Sequence, residues 1–209
     1  MKDTKIRLIE AAGEVFAREG YRSATVRAIC KRAGAHVGAV NYHFRDKAGL
    51  YAAVLAYSHE SAVIKYPPDL GLKGDATPED KLRAFIRSFL LRVLDETATA
   101  WHGKLMAREI AEPSSALDQV VDSSIRPLYD YLAAIIRELL PVSHRGKNES
   151  PDLSFLCAMS IVGQCLQHYL GKSIIASLRP ESFEPGDIDR ICDHITRFSL
   201  GGIRELKNQ

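Results

Sequence analysis

The chain has 209 residues, of which 46% are hydrophobic and 26% are charged. This composition excludes a disordered or fibrous protein and suits one or two globular domains. The net charge is only +2, but residues 1–47 hold ten Lys and Arg against five Asp and Glu, which leaves eighteen against twenty-one for the rest. A basic N-terminal segment before a slightly acidic body is typical of a small DNA-binding domain attached to a larger domain.

Cysteine usage and the N-terminal residues indicate a reducing compartment. The four cysteines lack C-x-x-C spacing, and the first twenty residues contain charged side chains instead of an apolar signal core. We therefore expect reduced, buried cysteines in a cytoplasmic protein. A metal or redox site formed by Cys165, His168, Cys192 and His194 is the alternative. No paired ligand motif accompanies these residues, so no metal or cofactor is expected.

Helical periodicity fills the segments between Gly and Pro residues, without hairpin signals or strict alternation. We therefore predict an all-α fold. The first helix covers residues 3–19 and ends at Gly20. Gly13 lies within its apolar stripe, where we expect the helix formed by residues 37–44 to approach closely.

Residues 25–44 predict two short helices separated by a tight turn. Thr25 is a good N-cap, and Gly34 can adopt the left-handed conformation that ends a helix. Val37, Val40 and Phe44 follow at helical spacing and are expected to point inward. This arrangement is a helix-turn-helix, whose second helix enters the DNA major groove.

The remaining chain predicts further helices, about nine in all. Thr77, Pro78 and Asp80 form a capping-box helix start after a loop at residues 66–76. Pro127 is expected to kink the helix that contains it. The later helices are predicted at residues 47–65, 99–111, 115–140, 152–177 and from 187 onward.

One hydrophobic segment raises the possibility of a membrane span. Residues 153–171 contain no Lys, Arg, Asp or Glu, and the segment is long enough to cross a bilayer. However, it contains Gln164, Gln167 and His168 and lacks a flanking Trp belt or basic cluster. We therefore expect a helix buried in a core and a subunit interface, with no membrane contact.

Several spaced segments agree with one known pattern. They are A-A-G-E-V-F-A-R-E-G-Y (11–21), T-V-R-A-I (25–29), A-G (33–34) and Y-H-F-R-D-K-A-G-L (42–50). With them, residues 4–50 resemble the DNA-binding domain of the TetR family of bacterial transcriptional regulators. The N-Y-H-F sequence and A-R-E-I-A-E-P-S (107–114) are similar to the CecR-like branch. The resemblance implies a three-helix helix-turn-helix domain at 1–47, a linking helix at about 47–65, and a larger helical-bundle domain for ligand binding and dimerisation at 48–209.

The resemblance also implies which residues contact DNA. Arg27 can reach a phosphate or a base, where it can pair with guanine, and Asn41, which stands where much of the family has Tyr, can pair with adenine. Tyr42, His43 and Lys47 match positions that usually contact phosphates. The complete set is Thr25, Arg27, Val37, Gly38, Ala39, Asn41, Tyr42, His43 and Lys47.

Each of these residues also has a plainer interpretation. Thr25 can be a helix cap alone, Val37 can belong to the core, and His43 can bond within the protein. Arg27 and Lys47 can be solvated charges. The clustering favours a DNA-binding role for the set more strongly than for any single member.

A homodimer is expected because one such domain reads only a few base pairs. A two-fold dimer presents two recognition helices roughly 34–36 Å apart to a palindromic DNA operator. Residues 153–166 are apolar nearly all round. In the family the last two helices of each subunit form a four-helix bundle, and we expect the same interface here.

The resemblance further implies that the larger domain binds a small-molecule effector. Aromatic and Met side chains with a few polar groups suit an organic ligand, although such residues more often belong to a core. Arg108 could pair with Glu109 or Glu112, or bind an anionic ligand. The candidate lining is Phe89, Trp101, His102, Leu105, Met106, Arg108, Tyr131, Met159, Val162 and His168.

These expectations favour a ligand-responsive transcriptional repressor over other classes. A transcriptional activator with the same DNA-binding domain is the alternative. A helical-bundle carrier or enzyme is less favoured, because the sequence shows no nucleophile–base pair, phosphate loop or metal motif. We therefore predict that the chain is not an enzyme, and no feature of the sequence names its effector.

Overall fold

A computed structural model describes residues 3–95, 101–140, 152–178 and 187–206, and no β-strand occurs among them. The prediction of an all-α fold is therefore confirmed. The helices are α1 Thr4–Ser23, α2 Val26–Ala33, α3 Gly38–Phe44, α4 Lys47–Lys65, α5 Pro78–Leu94, α6 His102–Ala111, α7 Leu117–Val120, α8 Arg126–Leu139, α9 Asp152–Leu170, α10 Lys172–Leu178 and α11 Ile188–Glu205. The segment Val121–Ile125 is π-helical and joins α7 to α8 without a break, so the described residues form ten separate helices where about nine were expected. The predicted helix start at residue 99 lies outside the described residues.

The chain forms two compact units. The first unit comprises Met1–Lys65 and Asp95–Arg126, and the second comprises Tyr66–Leu94 and Pro127–Gln209. The backbone therefore passes between them three times. The two units are defined by which residues pack together. The predicted boundary at residue 47 instead separates a DNA-binding domain from a ligand-binding domain, and it remains a prediction.

The core of the first unit is formed by α1, α2, α3 and α4 together with α6. Phe16 and Leu105 are among its fully buried side chains. Gly13 does not face α3, as the sequence predicted, but the indole of Trp101. A Cβ at position 13 would lie 2.5 Å from Cε2 of Trp101, so only glycine leaves room for this ring.

In the second unit, α5 packs against both α9 and α11. The predicted capping box starts α5, because Thr77 Oγ1 accepts a hydrogen bond from the Asp80 N–H (3.2 Å) and Asp80 Oδ2 accepts one from the Thr77 N–H (3.1 Å). Leu82, Phe85 and Ile86 then point into the core.

Two helices differ in detail from their sequence patterns. The predicted kink before Pro127 takes the form of a π-helical turn, in which the Arg126 N–H donates to the carbonyl of Val121, five residues back. The single helix predicted at 152–177 is interrupted at Gly171, which separates α9 from α10. A Cβ at Gly171 would lie 2.7 Å from the carbonyl oxygen of Gln167, so this turn requires glycine.

Candidate nucleic-acid interface

Helix α2 begins and ends as its sequence predicts. Thr25 Oγ1 accepts a hydrogen bond from the Ala28 N–H at 3.2 Å. Gly34 ends the helix with φ 60° and ψ 39°, a left-handed conformation. Arg7 of α1 donates to the carbonyl of Ala33 at 3.3 Å, which fixes the end of α2 against α1.

Helix α3 begins with a side-chain cap that the sequence analysis missed. His36 Nδ1 accepts a hydrogen bond from the Gly38 N–H at 3.2 Å, and this satisfies one of the free amide groups at the helix start. Val40 and Phe44 are buried beneath the helix. Val37 was expected to point inward with them, but it lies at the helix start and its side chain is 45% exposed. That expectation is wrong, and Val37 is accessible on the face that holds the candidate DNA contacts.

Most of the nine candidate DNA-binding residues are accessible. Tyr42 is 85% exposed, and its ring lies 4.9 Å from the ring of His43 in an edge-on arrangement. Ala39, His43 and Lys47 are half-buried. The exposed members are Thr25, Arg27, Val37, Gly38, Asn41 and Tyr42. The beginning of α3 thus presents small side chains beside polar groups that can bond base edges or phosphates.

Lys47 differs from the others because its ammonium is already engaged. Its Nζ donates to the carbonyls of Tyr21 (2.9 Å), Ala24 (3.1 Å) and Arg22 (3.4 Å). It also lies 4.6 Å from the centroid of the Tyr21 ring. These contacts attach the start of α4 to the end of α1, so a phosphate contact by Lys47 would compete with them.

The candidate ligand residues fall into both units. Five belong to the first unit, and the contacts of four of them favour a structural role. Trp101 packs on Gly13 and stacks with Tyr57, and Leu105 is fully buried. His102 Nδ1 lies 2.9 Å from Ser58 Oγ.

Arg108 does not form the ion pair that the sequence analysis offered for it. It pairs with neither Glu109 nor Glu112 but donates to the backbone carbonyls of Ala17 (3.2 Å) and Arg18 (3.1 Å) near the end of α1. Arg108 therefore joins α6 to α1. Met106, the fifth candidate in this unit, is half-buried.

The five candidates in the second unit lie on α5, α8 and α9. Phe89 and Tyr131 both pack against Phe85, with ring centroids 6.4 Å and 6.2 Å apart. Met159 is exposed, whereas Val162 and His168 are half-buried. Burial lowers the pKa of His168, and the nearby His194 adds to this effect.

An apolar surface covers parts of α9 and α11. Only 28% of Leu153–Leu170 is buried, although this segment is long and apolar enough by length and composition to cross a membrane. Core helices of water-soluble proteins pass the same test. A groove between the two helices is lined mainly by apolar groups, including Leu156, Ile161 and Phe198. The exposed large apolar residues of this surface are Phe155, Leu156, Met159 and Phe198.

The cysteines are free, and Cys30, Cys165 and Cys192 are buried. Burial raises the pKa of Cys165 to about 12, which keeps its thiol protonated. Within the described ranges, no group of three or more His, Cys, Asp or Glu side chains is placed to hold a metal ion.

Sequence reasoning also missed a buried polar network in the first unit. Glu109 is only 1% exposed; its Oε2 accepts from the Tyr51 hydroxyl (2.8 Å), and its Oε1 accepts from the N–H (2.8 Å) and Oγ (2.7 Å) of Ser114. Burial and the hydrogen bond to Glu109 raise the pKa of Tyr51, so its hydroxyl remains a donor. Both Glu109 and Ser114 belong to the A-R-E-I-A-E-P-S segment, which was the available signal.

Comparisons with known proteins agree with this arrangement. Residues 8–54 match the model of the tetR family of bacterial regulatory proteins, and residues 78–203 match the C-terminal domain of the HTH-type transcriptional dual regulator CecR. CecR of Shigella flexneri is 27% identical over 183 residues, which cover 83% of this chain and 79% of that protein.

Two solved structures share the fold. FadR from Bacillus subtilis, in complex with stearoyl-CoA, has a TM-score of 0.69 and 19% identity, covering 95% of this chain and 98% of that chain. AibR, in complex with isovaleryl coenzyme A and operator DNA, has a TM-score of 0.67 and 16% identity, covering 94% and 97%.

The match to the CecR C-terminal domain spans more than half of the chain. The chain therefore belongs to the TetR family of bacterial transcriptional regulators, with a C-terminal domain of the CecR type. The family resemblance predicted from the sequence is confirmed, as is the prediction that the chain is a DNA-binding regulator and not an enzyme.

Proposed function

We propose that this regulator is a repressor that binds a palindromic DNA operator as a homodimer and is released by a small molecule. The observation that carries the proposal is the accessible face of α3, which combines Val37 and Asn41 with the exposed ring of Tyr42. Side chains of this kind at the start of a recognition helix can reach base edges while neighbouring groups hold phosphates.

The candidate residues divide into two tasks. Arg27, Val37 and Asn41 read bases, through hydrogen bonds to guanine or adenine and through contact with a thymine methyl group. Thr25, Tyr42 and His43 bind phosphates and set the position of the helix. Gly38 and Ala39 are small and let the helix lie deep in the groove. Lys47 acts indirectly, by holding α1 and α4 together.

The dimer forms through α9 and α11. These two helices expose several large apolar side chains beside an apolar groove, whereas scattered single apolar residues are normal on a protein surface. Contiguous apolar patches of this kind mark interaction sites. A Cβ at Gly163 on α9 would meet no atom within 4 Å, which leaves space for a partner helix. A cytoplasmic location fits the DNA-binding role and the free cysteines.

The effector acts on the body of the chain, residues 48–209. It shifts the population toward a state that does not bind the operator, and this requires different affinities for the two states. FadR and AibR share the fold and were solved with acyl-coenzyme A molecules. Acyl-coenzyme A compounds are therefore a rational first set of effectors to test.

Selection of bound sequences from a random DNA pool tests this proposal. We expect a palindrome whose half-sites are centred about one helical turn apart, and a complex that contains two chains. Enrichment of a single asymmetric site, or of no sequence at all, would contradict the proposed operator. The selected sequence then locates the regulated genes.

A second candidate function is activation from the same DNA site. It is favoured by the relative CecR, which is described as a dual regulator. Transcription from a promoter carrying the selected operator, measured with and without the purified protein, distinguishes the two. A fall in transcript supports repression, and a rise supports activation.

A further inference from the structure

Arg92 on α5 is a buried cation in the second unit. Its side chain is 4% exposed. Burial lowers the pKa of its guanidinium to about 10, so the group remains charged at neutral pH. The two other arginines of α5 form ordinary ion pairs near the surface: Arg83 pairs with Asp193 at 2.7 Å, and Arg87 pairs with Asp189 at 2.6 Å.

The polar contacts of Arg92 contain no negative charge. Nη1 donates to the backbone carbonyl of Tyr66 (3.1 Å) and to Ser88 Oγ (2.8 Å), and Ser88 Oγ itself donates to the same carbonyl (2.8 Å). The guanidinium carbon lies 5.7 Å from the centroid of the Phe89 ring. Nη2 is buried and has no hydrogen-bond partner, and Arg92 forms no ion pair within the described part of the chain.

Such an arrangement is costly unless something compensates for it. A buried charge normally pairs with an opposite charge, and a buried donor normally has an acceptor. Guanidinium matches carboxylate and phosphate groups especially well, because its planar N–H groups can bond two oxygens at once. The unpartnered Nη2 supplies two such donors.

We propose that Arg92 binds the anionic group, a carboxylate or a phosphate, of an otherwise apolar effector. The inference rests on the proposed ligand response and specifies the chemistry of the ligand. The apolar part of the effector packs near Phe89 and the facing helix α9. A neutral analogue of the same shape leaves Nη2 unpaired and binds more weakly.

The location of Arg92 also suggests how binding is communicated. Tyr66, whose carbonyl Arg92 bonds, directly follows Lys65, the last residue of α4. Lys65 is paired with Asp95 at 2.5 Å, and Asp95 follows α5 by one residue. An anion that draws Arg92 away from the Tyr66 carbonyl therefore acts on the backbone that directly follows α4.

Thermal unfolding with matched probes tests the proposal on the full chain. The probes are sodium decanoate, decyl phosphate and decanol, which share an apolar chain and differ in the head group. The variants are Arg92→Met, which removes the charge and keeps apolar volume, Arg92→Lys, which keeps a point charge, and Arg87→Met as a control from the same helix.

For the wild type and Arg87→Met, we expect the unfolding midpoint to rise by about 4 °C or more with at least one anionic probe, and less with decanol. The better of the two anions identifies the head group. Arg92→Met should lose about tenfold or more in affinity for that anion, with Arg92→Lys in between. Without any probe, Arg92→Met should unfold no earlier than Arg87→Met, because an unpaired charge has been removed.

Equal midpoint shifts for decanol and both anions, or an anion response retained in Arg92→Met, would overturn the proposal. If Arg92→Met does not fold, a wild-type response in Arg92→Lys overturns it instead. Binding to the selected operator without probe is measured in parallel. If the wild type does not bind the operator, the proposed function is contradicted. If it binds the operator but responds equally to all three probes, only the role of Arg92 is contradicted.

Discussion

At the scale of single residues, the start of α3 depends on a side chain outside the helix. Three of the nine candidate DNA contacts, Val37, Gly38 and Ala39, lie at this end of α3. Because the His36 ring accepts from the Gly38 N–H, it fixes the backbone from which these side chains extend. His36 is therefore a positioning residue for the proposed DNA-binding surface.

Replacing His36 by Ala is expected to loosen the first turn of α3. The lost cap costs about 0.5–1 kcal/mol of stability, toward the low end for N-caps because His36 is exposed. His36→Asn, which offers an amide oxygen to the same N–H, should restore most of the loss. Chemical denaturation and operator affinity of both variants measure the effect; equal behaviour of the two would show that the hydrogen bond is unimportant.

Replacing Asn41 by Ala is expected to weaken binding to the selected operator by about 1–3 kcal/mol and to change binding to random DNA little, because Asn41 is proposed to read a base. Tyr42→Phe removes the hydroxyl that is proposed to bond a phosphate and should weaken binding to both DNAs alike. Titrations on both DNAs at several salt concentrations measure this. A loss for Asn41→Ala that is the same on random DNA would rule out base reading.

Sequence patterns predicted those residues whose roles are local. Thr25 and Gly34 were predicted correctly because a cap and a left-handed turn depend on a few neighbouring residues. Lys47 and Arg108 could not be assigned, because their partners are carbonyls of α1 and of its C-cap Ala24 that lie 23 to 26 and 90 to 91 residues away in the chain. Helical periodicity gives the face of a helix but not such distant partners.

At the scale of elements, α6 is tied to α1 and α4 by polar and apolar contacts. Arg108 bonds the carbonyls of α1, Glu109 bonds Tyr51 of α4, and Leu105 is buried between them. Arg108 and Glu109 are adjacent positions of the segment that resembled the CecR-like branch. The role of that segment in the first unit is thus to attach α6.

Replacing Gly13 by Ala is expected to destabilise the first unit by about 1–3 kcal/mol, because the new methyl group would overlap the Trp101 ring. Gly201→Ala in α11 is the control, since a Cβ there meets nothing within 4 Å. The control should be neutral or stabilising by up to about 1 kcal/mol. Thermal or chemical unfolding measures both.

A second substitution distinguishes overlap from a general effect on α1. Adding Trp101→Leu to Gly13→Ala should cost less than the sum of the two single changes, because the smaller side chain leaves room for the methyl group. Strictly additive costs would mean that Gly13 and Trp101 do not interact.

The ends of helices were predicted correctly where the local sequence carries a strong start or stop signal. The capping box at Thr77 and the helix of residues 47–65 were correct. The break at Gly171 was missed because a single glycine within an apolar run also occurs in continuous helices. The position of the irregular turn before Pro127 was predicted, but its π-helical geometry was not, because a proline shows only that a regular helical turn is disturbed.

At the scale of the whole molecule, α9 and α11 carry an apolar surface that one chain leaves exposed. The sequence showed an apolar segment but not which of its side chains remain uncovered, because this depends on how α9 packs against α5 and α11. The ten candidate ligand residues could not be grouped from the sequence for the same reason, because packing divides them between two units.

Replacing Phe198 by Glu is expected to convert the proposed dimer to a monomer at micromolar concentration. Phe198 is 66% exposed on the proposed interface, and a buried, unpaired carboxylate there would be unfavourable. Ile64→Glu is the control, because Ile64 is 75% exposed on α4. Light scattering gives the mass of each variant; a wild type with the mass of one chain would refute the dimer.

The attachment of α6 has a consequence for building hybrid regulators. A natural choice for exchanging DNA specificity is to graft the first 47 or 54 residues onto another family member. Such a graft would leave Gly13 facing a foreign side chain in place of Trp101, and would leave the carbonyls of Ala17 and Arg18 without Arg108. The transplantable module is therefore discontinuous: it includes residues 101–126 together with the N-terminal helices, and a recombinant that respects only the linear boundary inherits a mismatched core.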